Sequence, residues 1–66
     1  MTKLQLKEKS IAKEWAAYYE RKNEHVTSAM AYRVGRKDKD GFYKFRVIVN
    51  IKLHHAFVLE VYEKVD

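Results

Sequence analysis

The chain has 66 residues, a formal net charge of +5 and no cysteine. A chain this short buries only about 60% of the surface its unfolded form exposes, so it makes one small domain, without disulfides or thiolate zinc sites to reinforce it. With 47% hydrophobic and 35% charged residues, it is too apolar for the disordered class and too charged for a membrane span.

The opening segment MTKLQLKEKS has no apolar core of the kind a secretory signal carries, and the expectation is a cytoplasmic protein with no membrane partner. Residues 6–24 are mostly good helix formers, and Ile11, Trp15, Tyr18 and Tyr19 fall on one helical face. The helix has two possible starts. Thr2 and Gln5 form a candidate capping box, which would bring Leu4 onto the stripe of Ile11 and Trp15; alternatively Ser10 caps a later start and leaves residues 3–7 as a short strand. The earlier start is preferred. Leu6 lies off the stripe.

Asn23, Glu24 and His25 end the helical pattern. Met30, Tyr32 and Val34 then alternate with Ala29, Ala31 and Arg33, which predicts a strand burying Met30, Tyr32 and Val34. Residues 36–41 end in Asp-Gly, the strongest hairpin signal in the chain, and Gly35 is a candidate bulge. Beyond the turn, Tyr43, Phe45, Val47, Val49 and Ile51 alternate with Lys44, Arg46, Ile48, Asn50 and Lys52. A two-residue loop pairs Val34 with Val47, and a four-residue loop pairs Val34 with Phe45; both keep the apolar positions on one face.

The run VIVNIKLHHAFVL contains one turn former, Asn50, and keeps its alternation through to Val61. A single strand of about twenty residues exceeds the usual 3 to 10. The preferred reading is a turn around Lys52 to His55 through a loop of three to five residues, followed by a third antiparallel strand from about Ala56 to Lys64; the alternative is a continuous strand exchanged between two protomers. The expected fold is α+β, one N-terminal amphipathic helix packed on a three-stranded antiparallel sheet. Because residues 56–59 are apolar on both faces, a homodimer is expected on either reading.

Function is less legible. Arg33, Lys44, Arg46 and Lys52 share a face by parity, with Arg36, Lys37 and Lys39 at the hairpin tip, and like charges would meet across the ladder as Arg33 opposite Arg46 or Lys37 opposite Lys44. These seven cations suggest a nucleic-acid-binding surface acting through phosphate contacts, against the simpler reading of a solvated face. Trp15, Tyr18, Tyr19, Tyr32, Tyr43, Phe45 and Phe57 are assigned to the core, which leaves Phe42 and Tyr62 as the aromatics free to stack on a partner. A second reading, a protein-interaction or regulatory module, places self-association or another protein on the apolar C-terminal strand through Ala56, Val58, Glu60 and Tyr62, while the net charge of +5 also suits an acidic protein partner. His25, His54 and His55 match no metal-ligand spacing, no phosphate-cradling glycine loop exists, and neither a cofactor nor catalysis is expected. A third reading starts from the basic strand at residues 44–51 followed by Leu59-Glu60-Val61-Tyr62. This resembles RNA-cleaving toxins locally, and would involve His54, His55 and Tyr62; such toxins generally carry two helices where one is expected here.

Overall fold

A computed structural model, describing residues 1–53 and 55–65, contains α1 (Lys3–Arg21), β1 (Val26–Val34), β2 (Phe42–Ile51) and β3 (His55–Lys64). The strands form one antiparallel sheet in the order β1-β2-β3. This is the expected α+β architecture, with the helix packed on one sheet face and the other face open.

The helix takes the earlier of its two starts. The Thr2 hydroxyl accepts from the Gln5 backbone N–H at 3.1 Å, and the Gln5 side chain accepts from the Thr2 N–H at 2.9 Å, a complete capping box. Its other end closes with Asn23 at φ 67°. There the Asn23 N–H donates to the Glu20 carbonyl and the Glu24 N–H to the Tyr19 carbonyl, so the last carbonyls are satisfied by a Schellman motif. Ile11 is buried and Leu4, Trp15 and Tyr19 pack around it, whereas Leu6 and Tyr18 face solvent. Tyr18 therefore leaves the expected core set; the ammonium of Lys22 lies 5.0 Å from its ring centroid.

The β1–β2 register corrects the predicted buried face of β1. Val34 pairs with Lys44, Arg33 with Phe45, Tyr32 with Arg46 and Ala31 with Val47. Ala29 and Ala31 thus face the helix, while Met30, Tyr32 and Val34 lie on the open face. Two physical causes act together. Small alanines under α1 let the helix lie close over β1 and β2, where Ile11 meets Phe45, Val47 and Val49, all fully buried. The connection also differs from the expected tight loops. Lys39-Asp40-Gly41 turns between Asp38 and Phe42, with Gly41 at φ 91°, and Gly35 at φ 77° redirects the chain as it leaves β1. These extra residues shift the frame of the first strand. The Asp38 carboxylate holds the turn by accepting from the Asp40 and Phe42 N–H groups, each at 2.9 Å. The register irregularity in β1 lies at the far end, between Val26 and Ser28.

The chain does turn inside its long alternating run. Ile51 pairs with His55, so the chain reverses between them, with Leu53 at φ 77°. β3 then pairs regularly with β2 from His55 to Lys64. Its odd-numbered side chains, Phe57, Leu59 and Val61, pack toward the core, and Phe57 stacks on Tyr19 with centroids 4.3 Å apart. A continuous strand is excluded.

Candidate functional site

Antiparallel pairing places direct partners on the same side of the sheet, so the open face can be read as rows across the three strands. Phe42 sits beside Lys64, then come Val34-Lys44-Tyr62, Tyr32-Arg46-Glu60, Met30-Ile48-Val58 and Ser28-Asn50-Ala56. One end of the face is aromatic and charged. The other is apolar or neutral. Met30, Val58 and Tyr62 are 51%, 61% and 60% exposed, so the larger apolar and aromatic side chains of this face meet solvent.

The charged end is ordered by Glu60. Its carboxylate accepts from the Arg46 guanidinium at 3.1 Å and lies 3.5 Å from the Lys44 ammonium. The hydrogen bond from Arg46, followed by the charge of Lys44, holds the Glu60 carboxyl below the usual glutamate range. Arg46 also donates to the Tyr32 hydroxyl at 3.4 Å with its guanidinium 6.0 Å from that ring, and its bonds to Tyr32 and Glu60 both favour the charged form. Lys64 stands 5.2 Å over the ring of Phe42. Cations and aromatic faces are therefore paired along the end of the sheet from which the loop of Arg36, Lys37 and Lys39 projects.

The seven expected cations do not form one surface. Lys44 and Arg46 share the open face, and Arg36, Lys37 and Lys39 are exposed in the adjoining loop. Arg33 is on the helix side, its guanidinium 5.9 Å from the Tyr43 ring, because β1 has the opposite parity from that expected. Lys52 lies in the β2–β3 turn at the other end of the sheet. The expected like-charge contacts are also absent: Arg46 faces Tyr32 and Glu60, and Lys44 faces Val34 and Tyr62.

Sequence parity found Phe42 and Tyr62 on the open face but missed Tyr32 and Lys64. Correct phasing of β1 would have found Tyr32; Lys64 follows from its place one step beyond Tyr62 on the same face. Ala56, Val58, Glu60 and Tyr62 all lie on this face of β3, as expected. The residues of the toxin reading are not brought together: His55 and Tyr62 stand at opposite ends of β3 and on opposite faces, and His54 lies outside the described residues. No helix among the described residues is long and apolar enough to cross a membrane. No family model matches the chain, and no similar curated protein or solved structure was found for it.

Proposed function

We propose that this protein binds single-stranded nucleic acid on the aromatic and basic end of its open sheet face. The observation that carries the reading is the juxtaposition of Tyr32, Phe42 and Tyr62 with Lys44, Arg46 and Lys64 on one uncovered surface, beside the cationic loop. Bases stack on aromatic side chains at roughly 1–3 kcal/mol each, whatever their identity, while cations track the phosphates. A twisted sheet offers rings at strand spacing to unstacked bases, which duplex nucleic acid does not expose. Among the described residues, the acids of this face and its loop are Asp38, Asp40 and Glu60, set against Arg36, Lys37, Lys39, Lys44, Arg46 and Lys64, so the balance is positive. Binding with little sequence preference and no chemical reaction follows from such contacts.

The test is fluorescence anisotropy with labelled single-stranded DNA, single-stranded RNA and duplex DNA at several salt concentrations. Affinity for single strands should exceed that for duplex, and its logarithm should fall linearly with that of salt by about 0.7 per phosphate contacted. Phe42→Ala and Tyr62→Ala should each weaken binding by about five-fold or more with the salt slope unchanged. Lys44→Ala combined with Arg46→Ala should reduce the slope. Absence of binding at low salt would refute the proposal.

A further inference from the structure

The backbone of β3 points to a partner for its free edge. The Arg33 N–H donates to the Glu8 carboxylate at 3.1 Å, so it points away from β2. The next residue along β1, Tyr32, must then aim its backbone groups at Arg46, because these directions alternate along an antiparallel pair. The Lys52 N–H, bonded to the His25 carbonyl, and the Asn50 carbonyl, bonded to the Thr27 hydroxyl, confirm that even-numbered residues of β2 face β1. Odd-numbered residues of β2 therefore bond to Phe57, Leu59, Val61 and Glu63. It follows that Ala56, Val58, Glu60 and Tyr62 direct their N–H and carbonyl groups outward.

The two edges of the sheet are treated differently. At β1, Glu8 occupies an outward N–H and the register breaks between Val26 and Ser28. Such devices prevent strand addition. β3 has regular pairing along its whole length and no proline or bulge. We infer that this edge pairs with β3 of a second copy, about a two-fold axis normal to the sheet, to make a continuous six-stranded sheet with both helices on one side. This inference stands independently of nucleic-acid binding.

Self-complementarity selects the register. In an antiparallel pair of identical strands, outward-facing residues must oppose each other, so the axis passes through a residue position. Centred on Leu59, residues 55–63 pair. Leu59 meets the partner's Leu59, Phe57 the partner's Val61 and His55 the partner's Glu63, while Glu60 faces the partner's Val58. Centred on Glu60, pairing is equally long but sets Glu60 against the partner's Glu60 and Phe57 against the partner's Glu63. Centring on Val58 or Val61 shortens the pairing to residues 55–61 or 58–64. The Leu59 register thus joins the apolar inner faces and opposes no like charges. It also carries the two basic ends to opposite corners of the sheet, which limits repulsion between protomers of charge +5.

Sedimentation equilibrium of the full chain, together with oxidation of single-cysteine variants, tests the inference, since the chain has no cysteine of its own. Leu59 would sit about 4.5 Å from the partner's Leu59 between Cα atoms, within disulfide reach, whereas Glu60 and the partner's Glu60 would be about 8–9 Å apart, beyond it. The expected result is a dimer at tens of micromolar, with Leu59→Cys cross-linking roughly tenfold or more faster than Glu60→Cys. Val58→Pro removes an outward N–H that β2 does not use, a change edge strands tolerate; it should give a monomer whose circular dichroism matches the parent chain. A monomeric parent chain, faster cross-linking at position 60, or a folded Val58→Pro variant that remains dimeric would each overturn the inference. If Leu59→Cys fails to fold, sedimentation of the parent chain and of Val58→Pro still decides.

Discussion

Leu53 holds a left-handed backbone at φ 77° with its side chain 77% exposed, so it bears the steric cost of that conformation without burial in return. That cost is about 1–2 kcal/mol for an L-residue, of which glycine's extra unfolded-state entropy would return roughly half. Leu53→Gly should therefore raise stability by about 0.5–1 kcal/mol, seen as a higher urea midpoint with unchanged slope. Asn23, also left-handed, ends a helix where asparagine is one of the few residues suited to the position. Glu60 makes a different prediction. Its folded-state carboxyl is depressed below the ordinary value by Arg46 and Lys44, so its stabilising contribution is present above the ordinary glutamate range and lost as pH falls through the lower folded value. Carboxyl-carbon NMR should show Glu60 titrating below the ordinary glutamate range, and Arg46→Gln should move it back up. At neutral pH, Glu60→Gln frees both cations and should tighten nucleic-acid binding while leaving the fold intact.

Among the elements, α1 depends on one small contact region. Ile11 is buried against Phe45, Val47 and Val49, and these four are the fully buried side chains among the described residues. Ile11→Ala should cost about 2–5 kcal/mol, a large share of what a domain this small possesses. Thermal melts followed by circular dichroism should show the variant largely unfolded at 37 °C, or with a midpoint lowered by more than about 10 °C. β1 is secured through its alanines and through Glu8, which ties the helix to the strand's edge. β3 is joined to the helix through longer side chains: Tyr19 stacks on Phe57, and Lys7 reaches Glu63 at 2.9 Å. The helix therefore covers β1 and β2 more closely than β3, and the least covered strand is also the one whose edge is free.

Across the whole molecule, a sheet with one open face and one unguarded edge leaves two surfaces for partners, and they point in different directions. The open face is perpendicular to the edge of β3, so dimerisation would double the aromatic platform without covering it. Stability then becomes a function of concentration, because a second copy binds only the folded chain. The urea midpoint should rise when protein concentration is raised a hundredfold, with up to about 1.4 kcal/mol of added stability per chain because free monomer rises only about tenfold when dimer dominates, whereas the Val58→Pro variant should show no such dependence.

Local chemistry in the sequence was enough for the elements and their order. Thr2 and Gln5 carry the capping-box pattern that the helix uses, Asp-Gly marks a turn, and the apolar odd positions from Tyr43 to Val61 keep one phase through β2 and β3 because the reversal between Ile51 and His55 leaves odd positions on one face. The phase of β1 was decided only by tertiary structure. Its two faces, Ala29-Ala31-Arg33 and Met30-Tyr32-Val34, are distinguished by size, and hydrophobicity favoured the larger set for burial. A helix lying close over the strand needs the smaller set, and the seven-residue connection at 35–41 permits that phase. Reversing one strand moved Tyr32 to the open face and Arg33 away from it, and so determined which cations and aromatics meet.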